Sequence, residues 1–166
     1  MEYIEHTIEP VYDGNSKILI LGTMPSPKSR EYGFYYSHPQ NRFWHVISDL
    51  YGEPLPATNE EKTEFLLKTH IALWDVLKSC RIEGADDSSI KDPVPNDIAG
   101  LLAQTKIHTV FTTGTKAAAF YKRFCQKTAG TAIALPSTSP ANCRHYNFER
   151  LKEAYRVILQ YTAENR

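Results

Sequence analysis

Four short apolar runs punctuate the chain, at 17–21 (KILIL), 71–76 (IALWDV), 109–113 (TVFTT) and 132–135 (AIAL). Each has the length of a strand and is bounded by turn residues, so each is predicted to be one. Between them the apolar positions change period. Over 41–51, Phe43, Trp44, Ile47, Leu50 and Tyr51 share a helical face. Thr58-Asn59-Glu60-Glu61 reads as a capping box opening a second helix through Phe65 and Leu66. Asn96 is expected to cap a helix carrying Ile98, Leu101 and Leu102, and 114–126 repeats Ala118, Tyr121, Phe124 and Cys125. Leu151, Ala154, Tyr155, Ile158, Leu159 and Thr162 keep the three-four spacing to the end, which predicts one long closing helix. Strands alternating with helices imply right-handed crossovers. The predicted class is α/β, with a mostly parallel sheet covered on both faces.

Such sheets bind ligands beyond the carboxyl ends of their strands. Here those ends run into 22–27 (GTMPSP), Trp74-Asp75, 113–116 (TGTK) and 136–142 (PSTSPAN), placing polar or Gly/Pro-rich loops on one rim. GTMPSP lacks the Gly-Lys-Ser/Thr ending and the glycine spacing of a phosphate loop. Ser26, Ser137 and Ser139 lie in turns without a Gly-x-Ser-x-Gly elbow, so a serine nucleophile has little support.

Composition narrows the picture further. A chain of 166 residues suits a single domain over 1–166. No apolar run approaches the roughly 18 residues of a membrane span, and the acidic opening MEYIEHTIEP has neither signal-peptide nor transit-peptide character. A cytoplasmic protein without a membrane partner is expected. The three cysteines, Cys80, Cys125 and Cys143, are odd in number and far apart, which argues against a disulfide framework, a zinc site or an iron–sulfur cluster. No metal or cofactor is expected. A formal net charge of zero means that a nucleic-acid partner must be held by a local patch. Lys28, Arg30, Arg42, Lys116 and Arg144, with His145 beside it, supply one on the proposed rim, although any one of them alone reads as a solvated surface group.

Three segments now carry a resemblance: Gly22-Thr23-Met24-Pro25-Ser26 after the first strand, 33–44 (GFYYSHPQNRFW), and 135–142 (LPSTSPAN) after the last. Together they resemble the uracil-DNA glycosylase superfamily, closest to its hypoxanthine (deoxyinosine) branch. The mismatch-specific uracil/thymine glycosylases come next, sharing HP-x-NRFW and a Glu-Ala-Tyr-Arg final helix like 153–156. The resemblance implies a three-layer α/β/α fold with a central four-stranded parallel sheet. It also implies hydrolysis of the N-glycosidic bond of a deaminated base in DNA, without cofactor or metal, by an enzyme that acts as a monomer. Such a base must be flipped into a pocket, at a cost of roughly a few kcal/mol that is lower for a mispaired base.

By position in the pattern, Tyr36 is the aromatic on which the flipped base would stack, with Phe34 and Tyr35 as neighbours; any one of these rings could equally fill core. Phe43 and Trp44 are assigned to the core. The resemblance points to Asn41 as a catalytic amide, while the residues alone read it as a helix N-cap, and one Asn can serve both roles. Where many relatives carry Asn or Asp to position water, this chain has Met24, whose thioether can do neither job. Ser137 stands where relatives often have His or Asn, so a purine such as hypoxanthine fits these departures better than uracil. Gly22, Thr23 and Met24 are expected beside the base, as is Ser137. Ser26, Lys28, Lys116, Thr138, Ser139, Asn142 and Arg144 are expected to contact DNA. An ST-rich turn capping the last helix is the plainer reading of part of 136–142. A uracil/thymine mismatch glycosylase and a lesion binder that has lost activity at Met24 remain as alternatives.

Overall fold

The computed structural model describes residues 1–163. The chain runs β1 (Glu2–Glu5), β2 (Ile18–Gly22), α1 (Pro27–Tyr32), α2 (Phe43–Tyr51), α3 (Asn59–Lys68), β3 (Ile71–Asp75), β4 (Leu77–Glu83) and β5 (Asp86–Pro95). It continues through α4 (Ile98–Ala103), β6 (Thr109–Thr113), α5 (Thr115–Phe124), α6 (Gln126–Ala129), β7 (Ile133–Leu135), a 3-10 turn (Pro140–Asn142), α7 (Phe148–Tyr155) and α8 (Ile158–Thr162). The four apolar runs form the expected parallel sheet, in the order β3-β2-β6-β7. Among the described residues no helix is long and apolar enough to cross a membrane.

β2 is buried at every position, which is why its sequence, ILILG, is a continuous apolar run with no polar alternation. Ile18 and Ile20 point to one face, where Phe43 and Ile47 of α2, Leu66 of α3 and Tyr155 of α7 cover them. Leu19 and Leu21 point to the other, against Leu101 of α4, Tyr121 of α5 and a second, smaller sheet. That sheet is antiparallel, ordered β1-β4-β5, and the periodicity reading did not contain it. Helices therefore cover one face alone, and the other is shared between helices and a sheet.

The junction between the sheets is tight. A single residue, Val76, separates β3 from β4, and the end of β2 pairs onward across it: Val76 N–H donates to Gly22 O at 2.8 Å and Leu77 N–H to Thr23 O at 3.1 Å. Asn96, expected to cap α4, instead lies buried here, its Nδ2 donating to Asp75 O and Leu77 O at 3.0 and 3.1 Å. The cap is Asp97, which accepts the Gly100 N–H at 3.0 Å. The carbonyls left over where one sheet ends and another begins need a donor, and Asn96 supplies two bonds.

The closing helix is also divided. α7 stops at Tyr155 and α8 begins at Ile158, because Arg156 N–H donates to Glu153 O and Leu159 N–H to Arg156 O, each three residues back. The apolar face continues across the break, with Leu151, Tyr155 and Ile158 all fully buried.

Candidate active site

The carboxyl ends of β2, β3 and β6 open into a cavity of about 620 Å³. Gly22, Thr23 and Met24 enter it from the turn after β2, Asp75 from the end of β3 and Thr113 from the end of β6. The loop after β7 brings Ser137, Thr138 and Ser139, and the segment before α2 brings Tyr35, Tyr36 and Asn41. These five separated stretches of chain thus meet where the α/β class places its ligand.

Tyr36 is held in an unusual way. Its backbone lies in the left-handed region at φ 54°, a conformation that costs a bulky residue on the order of 1–3 kcal/mol. Two contacts hold it there: its ring stacks on Phe43 with centroids 4.1 Å apart and planes 14° off parallel, and its hydroxyl hydrogen-bonds Thr113 Oγ1 at 3.2 Å. Burial, then the nearby Asp75 charge, pushes the phenol well above its ordinary range, so it stays a neutral donor. The other two rings of the run are used differently. Tyr35 is buried and its hydroxyl donates to Glu9 O at 2.9 Å and Ile8 O at 3.2 Å. Phe34 packs edge-on to Tyr35 and against Trp44 in the core and does not line the cavity.

Asn41 stands one residue before Arg42, which occupies the N-cap of α2, so it is not the cap the sequence suggests, and its side chain makes a turn bond into the helix start instead. Its Oδ1 accepts the Phe43 N–H at 2.9 Å at the start of α2, and its amide Nδ2 makes no hydrogen bond to another described residue while the side chain borders the cavity. The next residue ties this segment to the loop after β7, since Arg42 N–H donates to Thr138 O at 3.1 Å. That loop is internally braced: Ser139 N–H donates to Ser137 Oγ at 3.1 Å and Asn142 Nδ2 to Ser137 O at 2.9 Å. Asn142 therefore spends its amide on shaping the loop and lies outside the cavity lining.

Gly22 lets the floor close. A Cβ there would sit 2.5 Å from Asp75 Oδ1 and 3.3 Å from the Tyr36 hydroxyl, so only glycine admits both. Asp75 is buried, and His6 Nε2 donates to its Oδ2 at 2.8 Å from the segment after β1. A further carboxylate comes from the second sheet. Asp87, near the start of β5, lines the same cavity, and burial first and then the Asp75 and Asp86 charges push its carboxyl up to about 6 against the Thr23 hydroxyl and Lys116.

The expected basic rim is thinner than the sequence implies. Arg42 turns inward, with Nη1 donating to Tyr146 O, while Nε and Nη2 are buried without a partner among the described residues. Lys28 pairs with Glu31 at 3.2 Å, and Arg30 lies 3.9 Å from Glu2. Lys116 at the start of α5 and Arg144 beyond the 3-10 turn are exposed. Ser26 borders the cavity and also caps α1, accepting the Ser29 N–H at 3.2 Å. Sequence reasoning missed His6 and Asp87. His6 carries no local signal, and for Asp87 the one cue is Gly84, whose left-handed turn joins β4 to β5, since the strand before it has no clear apolar period.

A parallel sheet whose strand ends open into a cavity bordered by the Tyr36 ring and the Asn41 amide defines an α/β protein with its candidate site at the sheet's carboxyl rim. The chain belongs to the uracil DNA glycosylase superfamily, whose family model matches residues 9–162. Within it, the chain is 36% identical over 143 residues to the hypoxanthine DNA glycosylase of Methanosarcina acetivorans, covering 85% of this chain and 90% of that one. It is 41% identical over 91 residues to the hypoxanthine DNA glycosylase of Methanosarcina barkeri, covering 54% and 58%. A solution NMR structure of a candidate uracil DNA glycosylase from Methanosarcina acetivorans superposes with a TM-score of 0.79 at 34% identity, over 96% of this chain and 99% of that one.

Proposed function

We propose that this protein is a DNA repair glycosylase that flips hypoxanthine out of DNA and hydrolyses its N-glycosidic bond, leaving an abasic site. The observation that carries the reading is the Tyr36 ring, backed by Phe43 and bordering a cavity that also holds the Asn41 amide, in a chain whose relatives are hypoxanthine DNA glycosylases. An extruded base loses its neighbours in the stack. A ring that replaces them contributes about 1–3 kcal/mol. Tyr36, rigid because Phe43 and Thr113 hold it, is that ring in this reading.

Cleavage places positive charge on the sugar and negative charge on the departing base. Asn41 Oδ1 is occupied by α2, which leaves Nδ2 to donate toward the base as that charge grows. Asp75, its carboxylate oriented by His6, receives the water that attacks C1′. Gly22, Thr23, Met24 and Ser137 form the wall against the base edge, and Met24 contributes shape alone. Ser139 and Ser26 would meet the flanking phosphates, whereas Thr138, expected from the sequence to contact DNA, is 1% exposed and instead ties the loop to Arg42 through its carbonyl. Lys116 and Arg144 are the exposed cations left to neutralise the DNA backbone.

The direct test uses labelled duplexes carrying one deoxyinosine or one deoxyuridine, incubated with the protein and then treated with alkali. Strand scission at deoxyinosine is the expected result. Scission at deoxyuridine alone identifies a uracil enzyme instead, and retention of lesion DNA without scission identifies a binder. In the same assay, Gly22→Ala is expected to slow scission about tenfold, because a Cβ cannot coexist with Asp75 at 2.5 Å and the carboxylate must move.

A further inference from the structure

The cavity contains two carboxylates from two different sheets. Asp75 rises from the end of the parallel sheet and Asp87 enters from the antiparallel one, and the two charges act on each other. Asp75 has a buried partner in His6, whereas Asp87 hydrogen-bonds no cation among the described residues. The mechanism above uses Asn41 and Asp75 and leaves Asp87 without a task.

A purine leaves a sugar more readily when one of its ring nitrogens takes up a proton as the bond to N9 breaks. Resting on the glycosylase reading, we infer that Asp87 is a further catalytic residue, the acid that protonates the departing hypoxanthine. The balance is complete within the cavity. The C1′–N9 bond breaks and its electron pair goes to N9, while the Asp87 proton passes to a second ring nitrogen, so the base leaves neutral. Water forms the new C1′–O bond and gives its proton to Asp75. Asp75 becomes neutral and Asp87 ionised, and exchange with solvent restores both.

The surroundings of Asp87 suit this role. Asp75 with His6 faces it from β3 and from the segment after β1, Cys80 from β4, Lys116 from α5, the Thr23 hydroxyl from the turn after β2, and Asp86 from its own strand. Burial and the two acids outweigh Lys116 and Thr23, lifting the carboxyl to about 6, so about half of it carries a proton at pH 6 and about one-tenth at pH 7. Because the folded protein holds this proton above the ordinary value of 3.8, the same group favours the fold at pH below 3.8. That contribution disappears as pH rises through about 6.

The test is single-turnover release of hypoxanthine from a duplex with one deoxyinosine, measured from pH 5 to pH 9. The wild-type rate is expected to rise as pH falls through about 6. Asp87→Asn is expected to lower the rate about 10²-fold at the acid end and to flatten the profile, and Asp87→Glu to restore the acid limb in part. Asp92→Asn, on the same strand beside Arg81, is the control and keeps the wild-type profile. A thermal scan supplies an independent readout: Asp87→Asn gains stability over wild type at pH 8 and not at pH 4. An Asp87→Asn enzyme that retains the wild-type acid limb overturns the assignment. If the wild-type protein itself releases no hypoxanthine at any pH, the glycosylase reading fails first, and the inference with it.

Discussion

Asn41→Asp is expected to leave the fold intact and to remove most of the hypoxanthine-releasing activity. The carboxylate keeps the acceptor that takes the Phe43 N–H at 2.9 Å, and Asp forms such two-residue side-chain turns as readily as Asn, so unfolding free energy should change by no more than about 0.5 kcal/mol. What disappears is the Nδ2 donor, and a negative charge takes its place beside a base that is itself becoming negative. Losing one oriented donor of this kind costs about 10²–10³-fold in rate. Asn41→Ala completes the comparison, since it loses the bond to the Phe43 N–H, at about 1 kcal/mol, together with the donor. Urea unfolding and single-turnover release on both variants separate the two roles. A full rate in Asn41→Asp, with a loss in Asn41→Ala that follows its stability, makes Asn41 a brace for the start of α2 and nothing more.

The parts of this fold that the sequence announced are those whose burial repeats locally. β2 reads as a strand because both of its faces are covered, and α2 reads as a helix because Phe43, Ile47 and Leu50 turn toward one core. The antiparallel sheet was silent for a physical reason. In β4 the alternation of buried and exposed residues is carried by Ser79 and Cys80 as much as by Leu77 and Ile82, and small polar side chains do not register as an apolar period. With β4 and β5 unseen, Asp87 had no element to place it. The Asp75–His6 contact joins residues 69 positions apart, and nothing in the hydrophobic pattern of the first six residues foretells it.

The aromatic run shows how far local reading extends. Phe34, Tyr35 and Tyr36 are adjacent and chemically alike, yet only their tertiary partners divide them into a core ring, a buried donor to Glu9 O and a cavity wall. The backbone at Tyr36 is left-handed, and a tyrosine at that position does not advertise such a conformation as a glycine would. The basic rim fails in the opposite sense. Arg42 follows the aromatic run in sequence and reads as part of the rim, but its Nη1 donates to Tyr146 O and so braces the chain after β7.

Phe43→Ala carries the largest expected cost to stability. The ring is fully buried at the first position of α2, and truncating a buried Phe costs about 3–5 kcal/mol. The same deletion removes the flat support at 4.1 Å that, with Thr113, holds Tyr36 in its strained backbone. Phe43→Leu separates these effects: it keeps most of the volume, so it should remain folded with a smaller loss, while offering Tyr36 no plane to stack on. Urea midpoints measure the first effect. Affinity for a deoxyinosine duplex, measured in the Asn41→Asp background where cleavage is slow, measures the second. A Phe43→Leu protein that is folded but binds that duplex about tenfold more weakly places the ring's role in holding Tyr36, because a contact worth about 1–3 kcal/mol to the base would then depend on a side chain that never touches DNA. Unchanged affinity would mean that the Thr113 hydrogen bond alone holds Tyr36 in place, and that Phe43 belongs to the core in every respect.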